Sequence, residues 1–152
     1  MKIMKSIFAI IITAVKSRKC LEEATIFCLS EGSENMILHI MNSSTWEERK
    51  NKEFWGKRNI DAEGFIHCSQ PEYFWRVAPN FDGTTEELII LCIDETKLFA
   101  KVKYEDGDNC GRSYPHVYGM INNSAVTAVL PFLRGENGKL VKNQELEIFE
   151  DK

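Results

Sequence analysis

The chain has 152 residues and lacks most of the features from which a function is ordinarily read. It contains neither a Gly-x-Gly-x-x-Gly fingerprint nor a glycine-rich phosphate loop, which removes two common frames for nucleotide binding. It has no Gly-x-Ser-x-Gly elbow, so a serine hydrolase of that kind has no place for its nucleophile. The five cysteines, Cys20, Cys28, Cys68, Cys92 and Cys110, are odd in number and include no Cys-x-x-Cys pair. That inventory fits free thiols in a reducing compartment better than a disulfide frame or a zinc finger, and no metal is expected. Positive charge is scarce as well: 19 Lys and Arg face 23 Asp and Glu, a net charge of −4. A general grip on duplex DNA is thereby disfavoured, while binding of a nucleotide in a specific pocket stays open.

Long apolar runs are missing too. Residues 6–15 form a largely apolar stretch of ten, too short for a bilayer, and Lys16, Arg18 and Lys19 follow it with no small-residue cleavage site. With 43% apolar and 28% charged residues, the expectation is one cytoplasmic globular domain, without a membrane partner and large enough for a core without staples. Oligomeric state is not legible.

Residues 1–35 read as an N-terminal extension, either an amphipathic or buried helix or an upstream segment outside the native protein. Glu31-Gly32-Ser33 can be encoded by a purine-rich stretch like a bacterial ribosome-binding site, which makes Met36 the expected true start. Peptides upstream of Met36 in the natural protein would overturn that expectation. The extension holds five basic and four acidic residues, so the remainder carries −5. The domain is expected over residues 36–133, with a polar C-terminal tail over 134–152 forming a peripheral hairpin or a frayed end.

Within the domain, residues 36–41 predict a strand, and Ser44 with Glu47 predicts a capping box opening a helix over 45–54. Residues 56–63 read as polar loop and 64–68 as a second strand. Ser69-Gln70-Pro71-Glu72 then opens a second helix ending near Pro79, with Ser69 as its N-cap. The unbroken apolar run Leu-Ile-Ile-Leu-Cys-Ile over 88–93 predicts a central strand covered on both faces. Residues 101–104 alternate as a half-exposed strand, 105–111 form an acidic loop, and 125–130 predict a buried strand ended by Pro131. Two early helices followed by strands define the expected class, α+β. Trp46, Trp55 and Trp75 lie on or near the predicted helices and read as packing anchors.

Histidine is rare, and all three copies sit in short apolar or glycine-bearing motifs: Ile-Leu-His39-Ile, Gly-Phe65-Ile-His67-Cys-Ser69, and Tyr-Pro-His116-Val-Tyr118-Gly119. Three converging imidazoles suit ribose hydroxyls, phosphate or a metal, because imidazole both donates and accepts near neutral pH. Each also has a structural reading as a core histidine bonded to backbone. Beside His116, Pro115 stiffens the chain and Gly119 permits close approach. Cys68 next to His67 invites a thiol nucleophile, but neighbours on a strand point to opposite faces.

The order of these motifs, from Ile37 to Pro131, resembles the bacterial family of domain of unknown function 952. That family in turn resembles the ADP-ribosyltransferase superfamily and its RNA 2′-phosphotransferase branch, which implies a split antiparallel β-structure with NAD as substrate. By position, the resemblance implies catalytic roles for His67, His116 and Ser69. It implies ligand contacts for His39, Phe65, Ser69 and Tyr118, with a small nucleotide-like ligand or an RNA end as partner. The sequence departs from protein-modifying members of the superfamily in carrying histidine, and no glutamate, in the third motif. Asp94 and Asp108 are candidate substitutes. Against a transferase stand two alternatives: a non-catalytic nucleotide or metabolite sensor, and a histidine metal-binding protein.

Overall fold

Alternation along two paired strands organises the molecule, whose computed structural model describes residues 33–152. The expected helix over 6–15, Cys20, Cys28 and nearly all of the extension lie outside the described residues. Strand β1 (Met36–Asn42) runs antiparallel to β4 (Leu88–Asp94), with Met36 opposite Asp94 and Asn42 opposite Leu88. Successive side chains point to opposite faces. Met36, Leu38, Leu88, Ile90 and Cys92 therefore enter one apolar cluster, and Ile37, Met41, Ile89, Leu91 and Ile93 enter another. β4 lies between β1 and β8 (Val126–Pro131) and is buried on both faces, as its unbroken apolar run requires.

A second antiparallel sheet has the order β3 (Ile66–His67), β6 (Tyr114–Tyr118), β5 (Lys101–Glu105). Ile66 and Val117 pair across it and are fully buried in the second cluster, where Val102 packs from β5. Burying one such side chain is worth about 1.5–3 kcal/mol. The opposite face therefore carries His67, His116 and Lys103, which the register places side by side. The two sheets meet at a single backbone pair: Leu38 donates to the Ser69 carbonyl at 2.7 Å and Ser69 donates back at 2.8 Å. A two-stranded ladder of β2 (Phe54–Trp55) and β7 (Ile121–Asn122) completes the strands. The class is α+β with antiparallel sheets, and no helix among the described residues is long and apolar enough to cross a membrane.

Several local expectations are corrected. Among the described residues three α-helices, not two, precede β4: α1 (Ser43–Arg49), α2 (Lys57–Glu63) and α3 (Phe74–Val77). α1 ends early because Phe54 and Trp55 are taken into the β2–β7 ladder, and the Ser44–Glu47 box does not form, since the N-cap is Asn42 and Glu47 pairs with Lys50. α2 occupies the expected polar loop. It is delimited by Gly56 (φ 104°) and Gly64 (φ 83°), left-handed positions that stop a helix without any side-chain cap. A Cβ at Gly56 would lie 2.3 Å from Ile66 Cδ1, so the glycine also lets α2 approach β3. Trp75 is 41% exposed, with Arg76 over its ring, and is no core anchor. β8 is half-exposed rather than buried because it is an edge strand. The C-terminal segment forms a small bridge, Arg134 to Leu140, but does not fray afterwards: Leu146 and Phe149 are buried in the first cluster.

Candidate ligand site at the meeting of the two sheets

His39 interrupts the apolar row Ile37, Met41 on β1. Its Nδ1 lies 2.7 Å from the His67 carbonyl oxygen. A carbonyl only accepts, so Nδ1 carries the proton and Nε2 is left as an accepting lone pair in the neutral ring. Burial lowers its pKa from 6.5 to about 4, with the Arg49 charge adding in the same direction. The ring also packs 5.3 Å from Trp55. His39 is thus a neutral, oriented imidazole at physiological pH.

His67 stands on β3, with its ring beside that of His116. Its ring is 64% exposed, with Nε2 2.6 Å from the Glu63 carboxylate at the end of α2. It meets the ring of His116 edge-on, centroids 5.1 Å apart. His116 is buried, its Nδ1 2.9 Å from Glu105 Oε2, and the same oxygen accepts a 2.7 Å hydrogen bond from the Tyr118 hydroxyl. Those bonds, Tyr118 first and then His116, hold the Glu105 carboxyl below the usual carboxylate range, and Glu105 in turn raises the Tyr118 phenol. Phe65 stacks on His116 at 4.1 Å and contacts His67 and Tyr118 at 4.8 and 5.4 Å. Lys103 sits 4.1 Å over the Tyr118 ring. The result is two adjoining carboxylate–histidine pairs, one shielded and one open to solvent.

The three histidines are therefore contiguous, but in two halves that share His67: its carbonyl serves His39 and its ring faces His116. The remaining candidates divide as follows. Ser69 is 3% exposed and its hydroxyl donates to the Gln70 carbonyl at 2.9 Å; it is not the expected N-cap, which is Gln70. Ser69 and His67 line a small apolar cavity of about 110 Å³ that also reaches His39. Phe65 has three protein rings around it, so it holds the histidine cluster together. Gly119 approaches the chain itself: a Cβ there would lie 2.8 Å from Ala100 Cβ. Cys68 is buried on the side away from the His67 ring, and burial pushes its thiol well above its ordinary value, so a thiolate nucleophile is disfavoured. Asp94 is occupied in capping the next turn through Thr96 and in an ion pair with Lys97. Asp108 is exposed in the loop after β5.

The carboxylates that touch the histidines are Glu105 and Glu63, neither singled out by the motifs. Glu105 had a usable signal, since an alternating Lys-Val-Lys-Tyr-Glu strand puts every second residue on one face. Glu63 had none while its segment read as loop. No group of three or more His, Cys, Asp or Glu among the described residues is arranged to hold a metal ion.

These features define an α+β protein whose distinctive surface is a histidine cluster held by carboxylates across a divided antiparallel sheet. Residues 40–129 match the family described as protein of unknown function, DUF952, and the chain belongs to that family. The match contains Phe65, His67, Ser69, Glu105, His116 and Tyr118, and starts immediately after His39. The crystal structure of protein CC0527 from Caulobacter crescentus is similar at 26% identity and a TM-score of 0.63, over 73% of this chain and 97% of that one. Its solution NMR structure gives 26% identity and a TM-score of 0.59, over 70% and 91%. No curated protein matches the chain.

Proposed function

We propose that the protein binds a small nucleotide such as NAD or an ADP-ribose-like molecule across the meeting of the two sheets, and acts at its ribose as an ADP-ribosyltransferase-like or RNA 2′-phosphotransferase-like enzyme. The divided antiparallel sheet supports the fold half of this reading. One observation carries the chemical half: Glu105 Oε2 accepts from both His116 and Tyr118, while the His67 ring stands 5.1 Å from that of His116. The third motif lacks a carboxylate of its own, and the neighbouring strand brings one to it.

In the glycosidic form of the reaction, the bond from C1′ to the nicotinamide nitrogen breaks and its electron pair leaves with nicotinamide. Positive charge builds on the ribose, and an ionised Glu105 stabilises it. His116, whose Nδ1–H is held by Glu105, has Nε2 free to take the proton of the attacking hydroxyl or water. His39 accepts from a ribose hydroxyl through its unprotonated Nε2. Calorimetry with NAD and ADP-ribose, followed by assays of nicotinamide release and of 2′-phosphate removal from RNA, tests this. The expected result is binding with turnover that falls at least about tenfold in His116→Ala. Unchanged turnover in that variant rejects the role of His116. Tight binding with the ligand intact after long incubation assigns the fold to sensing instead.

A further inference from the structure

Beside the histidine cluster lies a second, larger cavity of about 370 Å³, lined by His39, Asn42, Thr45, Arg49, Arg58 and Asn59. It stands out electrostatically. The chain is acidic overall, at −4, yet this cavity is lined by two arginines from different helices, Arg49 of α1 and Arg58 of α2. Among the described residues, no carboxylate lies within ion-pair distance of either one, although Lys50, just after α1, and Lys57 of α2 are both paired. The one acid lining the cavity, Glu63, is engaged by His67 Nε2 at 2.6 Å.

The arginines also stand on fixed supports. The Asn123 amide donates to the Arg49 carbonyl at 2.8 Å and to the Lys52 carbonyl at 2.6 Å, tying down the end of α1. The Asn123 side-chain oxygen accepts from Trp55 Nε1 at 2.9 Å, and the Arg49 guanidinium lies 6.0 Å from the Trp55 ring centre. α2 is fixed at both ends by its glycines. Two guanidiniums offer planar, fork-like donors, the geometry that phosphate oxygens match. Asn59 and Thr45 add neutral polar groups, and neutral His39 adds an acceptor rather than a third charge.

We propose that this cavity is an anion site, built to hold the phosphate or diphosphate of the small molecule whose sugar the histidines contact. The assignment of the anion to a nucleotide rests on the function proposed above; the anion site itself does not. His39 lines this cavity and bonds to His67, so it would sit between the phosphate half and the reacting half of one ligand.

The test is calorimetry on the full chain with inorganic pyrophosphate, NAD, ADP-ribose and adenosine, at low and at physiological ionic strength. Pyrophosphate is expected to bind, more weakly as salt rises, and Arg49→Gln and Arg58→Gln are each expected to weaken it by about tenfold or more, the worth of one charge-assisted bond. Arg58 is exposed on a surface helix, so its variant reports even where Arg49→Gln disturbs the Trp55 packing. Lys101→Gln, which removes an exposed charge on β5, is expected to leave pyrophosphate affinity unchanged, and Glu63→Gln to raise it. Absence of pyrophosphate binding, or binding indifferent to both arginines, overturns the anion site. NAD binding equally to the wild-type chain and both arginine variants overturns the placing of a nucleotide's diphosphate in this cavity, while leaving nucleotide binding itself intact. Pyrophosphate held by the arginines, with no affinity for NAD or ADP-ribose, upholds the site and removes the nucleotide.

Discussion

The two sides of β3 treat the same residue type in opposite ways. On the side of β1, His39 is half-buried, uncharged and committed to a backbone carbonyl, next to a cavity lined by two arginines. On the outer face of the second sheet, His67 and His116 are each held by a carboxylate, and their rings touch. A histidine bonded to a carbonyl with nearby cations stays neutral and accepts through Nε2. One bonded to a carboxylate has its ring oriented by that bond. Surroundings, not residue identity, separate the two sides: one sets a neutral acceptor beside arginines, the other sets imidazoles against carboxylates.

The largest effect that would break this contrast is expected from Glu105. Glu105→Gln keeps the size of the side chain but removes the charge that orients His116 and Tyr118. Turnover should fall at least about tenfold, comparable with His116→Ala, while the anion affinity of the arginine cavity stays as it was. A matched loss in both measurements would mean that the two sides are not separable. Glu63→Gln, acting on the more exposed pair, should cost turnover less.

A smaller effect sharpens the other side. The unfolded chain protonates His39 near 6.5, whereas the folded chain does so only near 4. The stability associated with the neutral ring is therefore complete above pH 6.5 and is lost as pH falls through that window. Because the ring retains partial contact with solvent, the loss should be about 1–2 kcal/mol. Denaturant melts at pH 7, 5.5 and 4.5, values of about those magnitudes chosen to bracket the transition, should show the fall in wild-type protein. A flatter profile is expected in His39→Asn, whose amide can still donate to the His67 carbonyl. An equal slope in both proteins would place the acid sensitivity elsewhere.

The smallest effect belongs to Ser69. Its hydroxyl bonds to the adjacent carbonyl and its backbone joins the sheets, so Ser69→Ala should cost no more than about 1 kcal/mol in stability and leave turnover within about twofold. A large loss of turnover with normal stability would restore Ser69 to the reacting group.

The sequence made some of this legible and hid the rest for physical reasons. β1 and β4 were readable because apolar runs, broken in β1 by His39, have few places to go other than buried strands. The three histidine motifs pointed to one neighbourhood, but the partition into two halves depends on the Leu38–Ser69 backbone pair, which leaves no trace in composition. α2 was hidden because Lys-Arg-Asn-Ile-Asp-Ala-Glu has only Ile60 and Ala62 as apolar residues and is bounded by left-handed glycines. With it went Glu63, Arg58 and Asn59, three residues of the candidate site. The alternation of β5 marked the face that carries Glu105 but not its partners, which lie 11 and 13 residues ahead across a connection whose register only the folded sheet reveals. The Ser44 cap signal misled because the helix opens at Ser43, directly after β1, and the Ser69 signal because its backbone pairs with Leu38.

The central claim, that His39, His67 and His116 form one ligand site in two halves, is most directly tested by nitrogen-15 NMR of the three imidazoles during titration with ADP-ribose. With only three histidines in the chain, single His→Asn variants assign every resonance. All three rings are expected to shift together along one binding curve, with His39 remaining the neutral Nδ1–H form throughout. Shifts confined to His39, confined to the His67–His116 pair, or following two separate affinities would contradict it.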